Sequence, residues 1–263
     1  MPAVPAPVAT VPIGAATPEV ASASIYGAEF AALFDSRWDV WARGAFARVA
    51  AAVDVTSGKG RTWLDLCCGT GALLRLAMDR GFAAAGVDIS PHQLAYAARK
   101  APGAHLIKGD IRDLSLKGRE FDIITCMFDS LNYLTALRDL DRVFRTAARS
   151  LKAGGLFAFD VKTTAGFRGE RDRVLREPEK VTVFERSYDE RRQLHRLTIT
   201  GFAGSDGTYR RFDELHLQRG YDTVTLVPRL GKVGLRVRCR DFDTGGGVRP
   251  TTRRVLYLCT APS

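Results

Sequence analysis

At 263 residues and 46% apolar content the chain can bury one sizeable core, and its apolar stretches are broken by charge or glycine before the ~18 residues a membrane span needs. Five cysteines, odd in number and without the paired spacing of a zinc site, exclude a disulfide framework and point to a reducing cytoplasm and no metal. The net charge of +10 keeps nucleic acid open as a partner, although +8 of it falls after residue 160, where bases and acids alternate as on a solvated sheet face.

Residues 1–20 are rich in Ala, Pro and Val, carry no Lys or Arg, and read as a disordered arm. From Ile25 to Val53 apolar residues recur at Phe30, Leu33, Phe34, Val40, Trp41, Phe46 and Val49, a helical spacing interrupted at Asp35-Ser36. Two amphipathic helices are expected there. A strand at 62–66 then runs through the glycine turn CCGTG into a helix over 72–80. A second strand at 83–88 leads to Ser90-Pro91, a cap and first-turn pair that starts the next helix.

Short strands follow at 105–108 and 121–127, then a helix over 134–151 that Gly154-Gly155 should stop, then a strand at 156–161. This alternation implies an α/β fold, doubly wound, with a mostly parallel sheet covered on both faces. After Val161 the segments 180–188, 193–203 and 208–221 alternate apolar and polar residues, with Gly204 to Gly207 as a hairpin turn. They predict an antiparallel insertion over one end of the parallel sheet. A short helix near 223–231 and strands near 233–241 and 253–260 close the chain.

A strand ending in an acid and turning through glycines into a helix sets backbone N–H groups and a carboxylate at the ligand-binding edge of a parallel sheet. Asp65, Gly69 and Gly71 have that arrangement, and Asp88 at the end of the second strand is placed for two ribose hydroxyls. Asp110, after the third strand, could take an adenine amine while Ile111 packs on the ring. Three acids at three strand ends suit a ligand with an amine, a ribose and an adenine, and no phosphate. A dinucleotide is disfavoured, because Leu74 stands where the third glycine or alanine of its fingerprint belongs and Asp65 would repel a pyrophosphate.

These segments resemble the motifs of class I S-adenosylmethionine-dependent methyltransferases: LDLCCGTG (64–71), GVDIS (86–90), GDIRDL (109–114) and FDIITCMFDSLNYL (121–134). The resemblance implies a seven-stranded Rossmann-like sheet and one methyltransferase domain over 21–263. Within it, 21–55 would be lid helices, 56–162 the cofactor core, 175–221 the insertion over the active site, and 222–263 the closing strands. It implies S-adenosyl-L-methionine as cofactor, S-adenosyl-L-homocysteine as product and no metal. Asp65, Cys67, Gly69 and Gly71 would then hold the methionine end, Asp88 with Ile89 the ribose, and Asp110 with Ile111 the adenine. Phe128 from the fourth-strand motif, and Tyr26 and Trp41 from the lid, would contact the cofactor. Cys67 departs from the family pattern by replacing its first glycine.

Methyl transfer needs an in-line nucleophile with a free lone pair, and a general base only where a proton must leave. His216 in ELHLQRGY is the candidate base, Tyr133 a second catalytic candidate, and Asn132 and Lys162 candidates for binding the acceptor. The fourth strand ends in Phe128-Asp129-Ser130 rather than an Asn/Asp-Pro-Pro-aromatic signature, which argues against nucleobase amines. The insertion resembles that of small-molecule N- or O-methyltransferases of secondary metabolism. The expected protein is thus a cytoplasmic monomer or homodimer, acting on a nitrogen or oxygen of a small-molecule acceptor and on no membrane. An RNA-modifying enzyme and a non-catalytic S-adenosylmethionine-binding protein are the alternatives.

Overall fold

The computed structural model of the chain describes residues 25–55, 58–116, 118, 120–205 and 208–263. The expected N-terminal arm and the central residues Asp206 and Gly207 of the expected hairpin turn lie outside them. Five parallel strands carry the main sheet: β1 (Thr62–Leu66), β2 (Ala83–Asp88), β3 (His105–Lys108), β4 (Phe121–Cys126) and β5 (Leu151–Lys162). Beside β5 lie β10 (Arg236–Asp241) and β11 (Arg254–Thr260), giving the order β10-β11-β5-β4-β1-β2-β3 with only β11 reversed. The chain winds outward in both directions from the gap between β1 and β4. Ligands bind at the carboxyl edge of such a reversal point.

The central strands β1, β2 and β4 and the second half of β5 are near-continuously buried, as strands covered on both faces of a parallel sheet must be, whereas β3 and β10 at the edges are partly exposed. Over one face α4 (Leu137–Arg149) and α6 (Thr223–Lys232) lay Leu140, Val143, Phe144, Leu226 and Leu230 on Phe157, Phe159 and Tyr257. Over the other, α1 (Ala28–Ala50) and α2 (Ala72–Met78) pack Ala45, Phe46, Val49 and Leu73 against Trp63 and Ile123. Helix α3 (Pro91–Lys100) starts as its sequence predicts, with Ser90 Oγ accepting from the Gln93 N–H and Pro91 in the first turn.

A second, antiparallel sheet of β6 (Arg173–Glu177), β7 (Lys180–Asp189), β8 (Leu194–Ser205) and β9 (Thr208–Arg219) follows the short helix α5 (Thr164–Arg168). The inner face of β9 is fixed to the carboxyl edge of the main sheet. Asn132 Nδ2 donates to the carbonyls of Lys162 and Arg219, Gln218 Nε2 donates to Asp129, and the Tyr221 hydroxyl donates to the Leu134 carbonyl. This sheet is a roof over the edge where β4 and β5 end.

Three expectations are corrected. One helix, α1, replaces the expected pair, because Asp35 does not break it: Asp35 and Asp39 each accept from Lys100 Nζ at 2.6 Å and tie the helix to α3. Along α1, Val40 and Trp41 are exposed rather than part of a buried stripe, and the side chains of Leu33 and Phe34 lie outside the described residues. Gly154-Gly155 do not follow a helix; α4 ends at Arg149, and the pair sits inside a longer β5. There Gly154 takes φ +69° and the register against β4 shifts. β6 and α5 had no predicted counterpart, since β6 is a mostly exposed edge strand with only Val174 and Leu175 as an apolar signal.

Candidate active site

The turn after β1 is built from left-handed backbone. Cys67 (φ +57°), Gly69 (φ +54°) and Gly71 (φ +80°) all take it, and at Gly71 a Cβ would stand 2.9 Å from Ala97 of α3. Asp88 fastens this turn, its two oxygens accepting from the Gly69 and Ser90 N–H groups at 2.9 Å each. Asp65 lies behind, with Thr125 Oγ1 donating to it at 2.6 Å. Burial pushes the Asp65 carboxyl up to about 7, against a lowering contribution from Thr125 and a raising one from Asp88. Burial also raises Asp88, opposed by its backbone hydrogen bonds.

Among the described residues no lysine or arginine pairs with either acid. Two more buried groups face the turn without partners among the described residues: the Thr70 hydroxyl and the side-chain amide of Gln93, which borders Gly69. Uncountered carboxylates, an idle amide and an idle hydroxyl around a glycine turn fit a ligand that brings an ammonium and ribose hydroxyls. S-adenosylmethionine has both.

The roof side has a different character. After β4, Phe128 (φ +66°) and Asp129 (φ +48°) form two successive left-handed residues, a conformation that costs of order 1–3 kcal/mol per residue and must be held. The fully buried Asp160 of β5 holds it, accepting from the Phe128 N–H at 2.7 Å and the Asp129 N–H at 3.0 Å. Arg254 of β11 donates to Asp160 at 2.5 Å and to Asp129 at 2.6 Å. Burial would raise the Asp129 carboxyl, but Lys162 and Arg254 draw it below its ordinary value. Lys162 Nζ meets Glu170 at 2.5 Å, and Arg186 meets the same carboxylate at 3.1 Å. Beside them His195 stacks on Phe167 at 4.5 Å, and burial lowers its imidazole to about 4.

Between the two halves runs a series of hydrogen bonds, partly buried at the tyrosines and buried at His216. Tyr26 Oη donates to Tyr133 Oη at 2.9 Å, Tyr133 Oη is 2.8 Å from His216 Nδ1, and His216 Nε2 is 2.9 Å from Glu214. A carboxylate only accepts, so Nε2 carries the hydrogen and Nδ1 accepts from Tyr133. The rings of Tyr26, Phe30 and Tyr133 wall the imidazole at 5.5, 5.5 and 5.8 Å. Burial raises both tyrosine hydroxyls far above their ordinary range, so each stays protonated at neutral pH.

Of the residues singled out from sequence, Asp65, Cys67, Gly69 and Gly71 lie at the end of β1 and in the turn after it, Asp88 and Ile89 stand at the end of β2 where Asp88 fastens that turn, and Tyr26, Tyr133 and His216 meet in the central series. Ile111 is buried in the core cluster beneath α4. Asp110 accepts from the Arg112 guanidinium, which an adenine amine would have to share. Trp41 is half exposed, with the Arg254 guanidinium 5.9 Å from its ring. Asn132 is committed to backbone: besides its two donations, its Oδ1 accepts from the Lys162 N–H. Glu214, Asp160, Arg254, Glu170 and Gln93 were not picked out. The legible signal for Asp160 was a charge within the apolar run LFAFDV, and for Glu214 its position two residues before His216 on an alternating strand.

The methyltransferase-domain family model matches residues 64–155. YqeM of Bacillus subtilis (strain 168), which carries a methyltransferase name, is 30% identical over 188 residues, spanning 68% of this chain and 74% of that one. The dTDP-3-amino-3,6-dideoxy-alpha-D-glucopyranose N,N-dimethyltransferase of Streptomyces fradiae is 42% identical over 109 residues, 41% of this chain and 42% of that one. A crystal structure of an S-adenosylmethionine-dependent methyltransferase from Clostridium acetobutylicum ATCC 824 superposes with a TM-score of 0.77 at 28% identity, covering 89% of this chain and 98% of that one. With the glycine turn, its two uncountered acids and the roofed strand ends, these likenesses show that the chain belongs to the family of S-adenosylmethionine-dependent methyltransferases.

Proposed function

We propose that the chain methylates the nitrogen of a small-molecule amine, an amino sugar or an acceptor of similar size and polarity, in the cytoplasm. The observation that carries this reading is the hydrogen-bonded series Tyr26–Tyr133–His216, which offers a proton acceptor between the glycine turn and the roof. An amine arrives as an ammonium ion and must lose a proton before its lone pair can attack. The name of the Streptomyces fradiae relative, an amino-sugar N,N-dimethyltransferase, supports the same acceptor class.

When bound, S-adenosylmethionine supplies a methyl group already activated on its sulfonium. Asp65 and the turn over Gly69 to Gly71 would hold its methionine end, and Asp88 its ribose. Tyr26 and Tyr133 orient the acceptor nitrogen by their hydroxyls, and His216 Nδ1 takes the displaced proton through Tyr133. The roof keeps water from this junction. The basic excess after residue 160 supports RNA less well, because exposed Arg168, Arg192 and Arg211 are paired with Glu190, Asp189 and Asp213. Incubation of the purified chain with labelled S-adenosylmethionine and a panel of amino sugars, their hydroxyl analogues and mixed tRNA tests the proposal. Label should enter the amines, and transfer confined to hydroxyls or to tRNA would overturn it.

A further inference from the structure

Glu214 does more than orient one imidazole. Its Oε2 accepts from the His216 ring and from the Tyr26 N–H at 3.0 Å, while its Oε1 accepts from the Gly27 N–H at 2.8 Å. One buried carboxylate of the roof thus gathers three donors: a ring nitrogen of the candidate base and the two backbone amides that lead into α1. At Gly27 a Cβ would stand 3.4 Å from Glu214 Oε1, in ordinary van der Waals contact with it. Tyr26 is held in left-handed backbone (φ +61°), a conformation a tyrosine rarely adopts unless its surroundings enforce it.

The same residue reaches both halves of the site. Its carbonyl accepts from Ser90 Oγ at 2.8 Å, next to Asp88, and its hydroxyl donates to Tyr133. This segment bonds Ser90, beside Asp88, at one atom and Tyr133 at another, so opening it would release contacts on both sides of the site. Its return restores two donors to Glu214.

We propose that Glu214 is a positioning residue that ties closure of the Tyr26–Gly27 segment to the proton-accepting tautomer of His216. With the segment closed, all three donors fill the carboxylate, Nε2–H is fixed and the Nδ1 lone pair faces Tyr133. With it open, water replaces the two backbone donors on the carboxylate and reaches the ring, so the imidazole can exchange its proton and its tautomer through solvent, and Tyr133 loses its donor from Tyr26. The acceptor of protons is therefore ready only when the site is shut. This inference rests on the proposed role of His216, but its test uses no methyl acceptor, so an amine panel that fails would leave the latch standing and the reverse.

The experiment is nitrogen-15 NMR of the full chain with saturating S-adenosylhomocysteine, comparing the parent with Glu214→Gln. A glutamine keeps one acceptor oxygen for three donors and turns its amide toward the rest. Amide exchange of Tyr26 and Gly27 should quicken at least tenfold, and the His216 ring should pass from the single Nε2–H tautomer to a mixture. Unchanged exchange together with an unchanged tautomer would overturn the proposal. The parent alone supplies a second arm that does not depend on the variant folding: the Tyr26 and Gly27 amides and the His216 ring N–H should share one protection factor. Values differing by more than tenfold would show that they open separately and would equally refute the coupling.

Discussion

The two halves of the site treat buried acids in opposite ways. Around the cofactor turn, Asp65 and Asp88 are held by a hydroxyl and by backbone N–H groups, without a cation among the described residues. Under the roof, Asp129, Asp160 and Glu170 are neutralised by Arg254, Lys162 and Arg186. A buried carboxylate without a counter-charge is costly, and one with a counter-charge is a fixed part of the structure. The first half therefore carries unbalanced negative charge that the cationic ligand proposed for it would offset, whereas the second is a preassembled frame that gives shape to its neighbours.

The strongest way to break this contrast is to take the cation from the frame. Arg254→Leu leaves Asp160 fully buried and Asp129 partly buried, and removes what braces the strained pair at 128 and 129. Breaking a buried ion pair from one side costs about 3–5 kcal/mol. Urea unfolding of the two proteins should show a loss of that order. A loss of under about 1 kcal/mol, the range of exposed pairs, would mean that the frame is screened by solvent and the contrast is wrong.

The opposite half is tested by pH. Asp65 titrates at about 7 when folded against an ordinary 3.8, so its protonation favours the ligand-free fold at low pH, and that contribution disappears as pH rises through the folded value. An ammonium-bearing ligand binds the carboxylate form and must first displace the proton. The affinity for S-adenosylhomocysteine measured by calorimetry should rise roughly tenfold per pH unit up to about 7 and then level off. Asp65→Asn should flatten the profile. A parent affinity independent of pH between about 5.5 and 8 would place the ligand's ammonium elsewhere.

Legibility in sequence follows the same division. Asp65 and Asp88 could be found because each ends a strand next to a glycine turn or a helix cap, features fixed by a few adjacent residues. The frame could not, because Asp160, Asp129 and Arg254 come together only when β11 inserts beside β5. On β9 the alternation is inverted: Glu214, His216 and Gln218 face inward while Leu215 and Leu217 are less buried, so a rule that turns apolar residues inward misplaces the face. His216 was recoverable from its chemistry, but Glu214 was indistinguishable from a surface acid. At Asp35 the local signal said break, and a lysine 65 residues away on α3 decided for a continuous helix.

Cys67 makes the smallest and sharpest test, because it stands at the boundary of the two halves. It occupies left-handed backbone that a side chain tolerates at a cost of roughly 1–2 kcal/mol, while its thiol packs against the main core and adjoins Cys126. Cys67→Gly removes the strain but restores about 0.4–1 kcal/mol of unfolded-chain freedom and gives up the thiol contacts. The opposing effects leave a net change within about 1 kcal/mol, or a few degrees in Tm for a chain of this size. Affinity for S-adenosylhomocysteine should hold within about threefold if the turn binds through its backbone alone, since about 0.7 kcal/mol is then the largest difference allowed. A loss beyond tenfold with Tm unchanged would instead make the thiol a ligand-contacting group, and the cofactor half would then depend on a side chain at the one position where the family's glycine is missing.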